Sequence, residues 1–216
     1  MTFIITIDGP SGAGKGTLAR ALAHHYNLAL LDTGLLYRCV GVKALQSGIA
    51  LDNQLRLAQI AQTLHPEDLT RYDLRTHEAS DASSRVAVFH DVREALLDFQ
   101  REFAENPPAG FQGSILDGRD TGTVICPHAR VKFYITAQVE IRAKRRFKEL
   151  QARGIQSIYS VVLKDMKERD LRDSQRTEAP LRAAADALTL DTSMLSPEEV
   201  LKKAIAFVEM RRSTER

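Results

Sequence analysis

The chain contains no tryptophan, two cysteines, and no apolar run longer than a few residues. Each scarcity excludes something. Cys39 and Cys126 lie far apart, so they form neither a metal-ligand spacing nor a disulfide framework, and a reducing, cytoplasmic setting is expected. Phe3 to Ile7 is too short for a signal peptide or a spanning helix, and no other stretch is long enough, so no membrane partner is expected. Charge of one sign is also missing: 30 Lys and Arg stand against 28 Asp and Glu, a net of +2. Nothing global therefore calls for nucleic acid. No internal repeat or low-complexity tract interrupts the 216 residues, which suffice for one domain with a full core. A single domain over 1–216, monomeric, is the expectation.

What is present is concentrated near the start. Phe3 to Ile7 reads as a short buried strand, and Leu18 to Tyr26 reads as a helix. Between them lies Asp8-Gly9-Pro10-Ser11-Gly12-Ala13-Gly14-Lys15-Gly16-Thr17. Gly9, Gly14 and Lys15 fit the G-x-x-x-x-G-K spacing of a phosphate-binding loop. Glycines let the backbone curl until several N–H groups face one anion, and a helix start adds unpaired N–H groups and a positive dipole end. Lys15 can reach the β- and γ-phosphates of a nucleoside triphosphate. Gly9, Ser11, Gly12, Ala13, Gly14, Lys15, Gly16 and Thr17 are the candidate donor-binding residues. The general motif puts Ser or Thr directly after the lysine, where its hydroxyl meets Mg²⁺. Here Gly16 takes that place and Thr17 follows, which points away from GTPases and motor ATPases.

Apolar runs alternate with helical periods down the rest of the chain. Leu28 to Leu31 is a second strand, ending at Asp32-Thr33-Gly34, which can cap a helix over Leu35 to Gln46. Residues 49–84 are mixed and polar and read as an insert with one short helix, broken at His65-Pro66. A single helix is expected from Ser84 to about Glu105. Ser114 to Leu116 and Val131 to Ile135 are the third and fourth strands. A basic helix follows from about Gln138 to near Gly154, and another from Ser157 to Asp170. Ala187 to Leu190 is the fifth strand, and Ser196-Pro197-Glu198-Glu199 opens the last helix. This alternation predicts an α/β fold, a five-stranded parallel sheet with helices on both faces, with ligands bound past the carboxyl ends of the strands.

The polar clusters sit at those ends. Asp117 closes the third apolar run, where a carboxylate can orient the water shell of an Mg²⁺ held by phosphates. Arg119 beside it can clamp a phosphate, and Asp120 can accept from an exocyclic amine or hold the arginine. Residues 142–176 hold eleven bases against five acids, an excess of six in a chain whose net is two. Lys144, Lys148, Lys164 and Lys167 read as a solvated face. Arg169, Arg172 and Arg176 suit a lid, spanning about 154–183, that brings positive charge over a transferring phosphoryl group. An RNA-binding module built on this region lacks interleaved aromatics.

Four motifs together make the resemblance specific. The loop of Asp8–Thr17, Asp32–Arg38 (D-T-G-x-x-Y-R), Asp117–Thr123 (D-G-R-D-x-G-T) and Lys167–Arg176 (K-E-R-D-x-R-D-x-x-R) resemble the bacterial cytidylate kinases, over nearly the whole chain. The resemblance implies a P-loop nucleoside monophosphate kinase that transfers the γ-phosphoryl of ATP to CMP or dCMP with Mg²⁺. It implies that Arg38, Arg119 and Arg176 grip the acceptor phosphate. It assigns the pentose to Arg169 and Asp173, and cytosine to Ser84, Arg93 and Asp120. Asp32 and Thr33 stand in the acceptor motif, with Thr33 in place of the commoner serine. Lys15, Arg119 and Arg176 are the expected catalytic residues. The insert at 49–84 is shorter than is usual in the family and shows no strand pair, which bears on selection between CMP and UMP. The alternative is a kinase of the same class acting on UMP, AMP or a cofactor precursor.

Overall fold

The computed structural model describes residues 2–213. Five strands, β1 (Phe3–Asp8), β2 (Ala29–Asp32), β3 (Gly113–Gly118), β4 (Val131–Thr136) and β5 (Leu188–Asp191), form one all-parallel sheet in the order β2-β3-β1-β4-β5. Parallel strands are buried on both faces, which is why they read as continuous apolar runs rather than alternating ones. Ile5, Ile7, Ile115, Phe133 and Ile135 pack against α1 (Lys15–Tyr26) and α8 (Pro197–Ser213) through Leu18, Leu22, Val200, Ala204 and Val208. Ile4 and Leu116 pack on the opposite side with Ala104 of α5 (His90–Glu105). Each fully buried side chain of this size stabilises the fold by about 1.5–3 kcal/mol.

The expected termini of two helices are made as their residues suggest. The Asp32 carboxylate accepts from the Gly34 N–H at the start of α2 (Thr33–Gln46). Ser196 and Glu199 form a reciprocal capping pair around Pro197 at the start of α8.

The single helix expected over Ser84 to Glu105 is two helices. The first, α4 (His77–Val86), ends at Ala87, and α5 begins at His90. Phe89 leaves the helical region at φ −84°, ψ 127° and packs with Val86, Ala87 and Val92 on a second apolar cluster. Packing, not a glycine or proline, breaks the helix. That cluster also takes in Leu36, Tyr37 and Val40 of α2 and Leu57 and Ala61 of α3 (Gln54–Gln62), so the residues of 49–84 are seated on α2 and α5. Short 3₁₀ turns, Pro66–Thr70 and Tyr72–Arg75, complete this region, which contains no strand among the described residues.

Two further differences bear on the site. The helix expected to stop at Asp170 continues: α7 spans Tyr159–Gln175 and packs on α6 (Val139–Ala152). The chain after β3 forms a single π turn over Thr121–Ile125.

Candidate active site

The central strand β1 delivers its carboxyl end to the glycine-rich loop. A Cβ on Gly9 would stand 1.9 Å from the Ile135 carbonyl oxygen of β4, and its φ is 147°, so no other residue fits there. Gly9 is buried beneath the loop and does not line the cleft, so its place is steric rather than in direct reach of a donor. The other seven loop residues, Ser11 to Thr17, line a cleft of about 1100 Å³. The first helical turn starts at Lys15 itself, which brings the N-terminus of α1 to the loop.

Lys15 is 7% exposed and donates to the Pro10 carbonyl at 2.9 Å. Burial, then the charge of Arg119, pushes its ammonium well below the ordinary lysine range. Asp117 is the counterpart: burial pushes its carboxyl up, Lys15 opposes this, and Asp32 adds to it. Asp32 and Asp117 are direct register partners at the ends of β2 and β3. A Cβ at Gly16 would meet Arg20 Nη1 at 3.3 Å and Asp117 Oδ2 at 3.4 Å. Arg20 and Asp117 thus occupy the space into which a side chain after the lysine would project.

The second wall of the cleft is built from arginine–aspartate groups. Asp120, 4% exposed, takes Arg93 of α5 on one oxygen and Arg176 on the other at 3.4 Å. Arg119 Nε donates to Asp173 of α7 at 2.8 Å, and Arg169 lies 3.8 Å from the same oxygen. Burial works against Arg119, but the Asp173 charge outweighs it and holds the guanidinium above its ordinary value. Arg169 is pulled down to about 10 by burial and by Arg119. Ser84 is 4% exposed, lines the cleft, and its hydroxyl has no hydrogen-bond partner. A buried polar atom left open in a cleft is a place where a ligand group fits.

Two expected acceptor residues are engaged elsewhere. Arg38 donates to the Leu74 carbonyl at 2.8 Å, and Thr33 donates its hydroxyl to the Asp117 carbonyl at 3.0 Å, although both still line the cleft. Arg169 donates to Ser80 and Arg172 pairs with Asp81 at 3.1 Å, which seats α7 against α4. Lys144, Lys148, Lys164 and Lys167 are exposed, as a solvated face requires.

Several contributors were not legible as functional. Asp8 accepts the Thr121 N–H, the Thr121 hydroxyl and the Gly122 N–H, each at 2.8 Å, and so anchors the turn that follows Asp120. Arg142, 4% exposed, holds the Ser11 carbonyl of the loop. Thr192 donates to the Ala13 carbonyl at 2.8 Å and is itself held by Arg145. Tyr37 carries the Arg93 guanidinium over its ring at 5.5 Å. Arg142 flanks the apolar stripe of α6 (Val139, Ala143, Phe147 and Leu150) that faces α7, so its place in the helical period did not set it apart.

The chain is similar to known proteins over nearly its whole length. The family model described as cytidylate kinase matches residues 5–210. A cytidylate kinase of Paramagnetospirillum magneticum is 51% identical, with 98% of this chain and 100% of the relative covered. Cytidylate kinase 1 of Haemophilus influenzae is 46% identical, with 95% and 93% covered. Among solved structures, an uncharacterized protein from Eubacterium ventriosum has a TM-score of 0.55 at 15% identity, covering 96% of this chain and 98% of its own. A sugar kinase from Janibacter has a TM-score of 0.51 at 15% identity, covering 97% and 95%. These two share the fold; the family assignment rests on the sequence matches, and by them the chain belongs to the cytidylate kinase family.

Proposed function

We propose that the protein transfers the γ-phosphoryl group of ATP to the phosphate of CMP or dCMP, giving CDP or dCDP. The observation that carries this is the two-sided cleft: a phosphate loop with a buried lysine on one wall, and Arg119, Arg176, Asp120, Arg93 and the open Ser84 hydroxyl on the other. Relatives at 46–51% identity bear the name of this activity.

In this reading the loop N–H groups and Lys15 hold the donor phosphates. Arg38, Arg119 and Arg176 align the acceptor phosphate for in-line attack and spread the charge that develops on the migrating group. Arg38 reaches that position by exchanging its Leu74 partner for the acceptor. No general base is needed, because a phosphate oxygen of CMP is already a nucleophile. Arg169 and Asp173 face the pentose. Ser84, Arg93 and Asp120 complement cytosine, whose N4 amine donates and whose N3 and O2 accept. The arginine pairs do a second job in the free protein: each aspartate compensates the charge of a buried guanidinium and orients it before the substrate arrives.

The residues also fit Mg²⁺. Three-ligand clusters of His, Cys, Asp and Glu are absent among the described residues, so a protein cage is not what the site offers. Asp117 and Asp32 are instead a like-charged pair beside the loop, with Asp117 pushed toward its neutral form. Such a pair suits a cation that keeps its water shell and takes its direct ligands from phosphates. When bound, the ion would neutralise donor phosphate charge, with Asp117 acting through water.

We read the chain as one kinase domain over 1–216, with 49–84 as a shortened acceptor-binding insert and 154–183 as the lid region. We read it as a cytoplasmic monomer acting on nucleotides rather than on nucleic acid or membrane. Both cysteines are buried and unpaired, and no helix among the described residues is long and apolar enough to cross a membrane. A coupled assay with ATP and Mg²⁺ across CMP, dCMP, UMP and AMP tests the substrate. CMP and dCMP should turn over fastest; a preference for UMP or AMP would overturn the assignment of the base pocket.

A further inference from the structure

The K-E-R-D-x-R-D-x-x-R segment contributes Arg169, Asp173 and Arg176 to the acceptor wall, but this leaves Asp170 without a role. Residues 169, 173 and 176 recur at helical spacing and share one side of α7 and its end. Asp170 is one residue on, about 100° around the helix, and points to α6. There it grips Arg142 through both oxygens, at 3.1 and 2.5 Å. The same guanidinium donates to the Ser11 carbonyl of the phosphate loop at 3.1 Å and, through Nε, to the Ala137 carbonyl at 2.8 Å.

The packing repeats the connection. Gly12 has φ 76°, and a Cβ there would meet Met166 of α7 at 3.0 Å and the Arg142 Cβ at 3.3 Å. Both helices therefore rest directly on the loop at the peptide that Arg142 holds. In a trans peptide the C=O and N–H point opposite ways, so fixing the Ser11 carbonyl on Arg142 also fixes the direction of the Gly12 N–H.

We propose that Arg142 and Asp170 are positioning residues that tie the acceptor side of α7 to the donor-phosphate loop, so that filling the ATP site tightens CMP binding. This rests on the ATP:CMP reading above. The physical reason is rigidity. A charge-assisted, two-pronged contact transmits displacement better than a flexible single bond. Any shift of α7 that moves Arg169, Asp173 and Arg176 onto CMP also moves Asp170, and with it Arg142 and the Ser11–Gly12 peptide. The route is one continuous set of contacts, and its two ends belong to different substrates.

Calorimetric titration of CMP, with and without a saturating non-hydrolysable ATP analogue, measures the coupling directly. In the wild-type protein the analogue should tighten CMP by about 5-fold or more. In Asp170→Asn, which keeps the volume and loses the charge, the tightening should fall below about 2-fold, while CMP alone binds within about 3-fold of wild type. Asp170→Glu should restore part of the tightening, a recovery that a mere loss of stability does not produce. Arg142→Lys should behave as Asp170→Asn does; should it fail to fold, the two Asp170 variants carry the test. A wild-type ratio near one overturns the proposal. So does an Asp170→Asn protein that keeps the wild-type ratio, or one that weakens CMP equally with and without the analogue. Turnover of CMP by the wild-type preparation separates the two levels: no turnover sinks the kinase reading, whereas turnover with an unaltered ratio sinks only the coupling.

Discussion

Asp8 and Thr121 are 113 residues apart in sequence, yet the Asp8 carboxylate accepts both the backbone N–H and the hydroxyl of Thr121 at 2.8 Å. The last residue of the central strand thereby fixes the turn that carries Asp120. The start of the donor loop and the acceptor pocket share one buried carboxylate, 3% exposed.

That burial has a consequence for stability. Burial raises the Asp8 carboxyl to about 6, against the lowering effect of its three hydrogen bonds. Its ordinary value is 3.8, so between 3.8 and about 6 the folded protein binds more protons than the unfolded chain. Stability therefore falls as pH rises through that window, by up to roughly 3 kcal/mol from this group. Urea unfolding of wild type and Asp8→Asn from pH 4 to 7 isolates the effect. The wild-type-minus-variant difference should decline with rising pH, and a flat difference would remove Asp8 as its source.

Lys15→Ala should keep the fold and lose turnover. The lysine lies at the helix start with the Pro10 carbonyl as its hydrogen-bond partner, and its removal lets the buried Asp117, already pushed up by burial, move further toward its neutral form rather than stranding a charge. kcat should fall by a factor on the order of 10²–10³, the scale of losing one preorganised charge at a transferring group. Steady-state kinetics beside a circular dichroism melt checks both parts. Wild-type kcat in a folded variant would displace Lys15 from the donor site.

Donor binding should take up a proton. Burial and Arg119 hold the Lys15 ammonium down at about 7, and a phosphate beside it favours the charged form. The pKa rises on binding, so at pH 8 the complex holds more protons than its separate parts. Calorimetry of ADP without metal, in HEPES and in Tris, reads this as a heat that depends on the buffer's ionisation enthalpy. Identical heats, or proton release, would contradict it.

Asp120→Ala should weaken CMP much more than ATP, by about 10²-fold in CMP affinity. It also strands Arg93 and Arg176, both held by Asp120 in the free protein. A stability loss of about 3–5 kcal/mol should therefore accompany the binding defect. Separate KM values for CMP and ATP, taken well below the melting temperature, distinguish the two effects. Equal losses for both nucleotides would take Asp120 out of the base pocket.

The legible parts of the fold are those where one local pattern decides. The Phe3–Ile7 run, the loop glycines, and the caps at Asp32 and Ser196 are matters of neighbouring residues, and the structure has them where local reading puts them. The break at Ala87–Phe89 was not legible, because Val88, Val92, Leu96 and Phe99 keep a helical period across it. Contact with α2 and α3 overrides that period. The break also sets Ser84 and Arg93 on different helices that line the same cleft. Arg142 read as one more base in a basic helix, and only its burial between α6, α7 and the loop sets it apart from the exposed Lys144 and Lys148.

By itself the sequence determined the strand–helix alternation, the phosphate loop and the family, because each depends on residue type at short, fixed spacing. Tertiary structure alone decided which charges meet. Asp8 with Thr121, Arg93 and Arg176 on Asp120, Arg119 on Asp173, and Asp170 with Arg142 and Ser11 all join different elements of the fold. Such pairs are set by strand order and helix packing, and no local spacing encodes a partner brought near only when the sheet has formed.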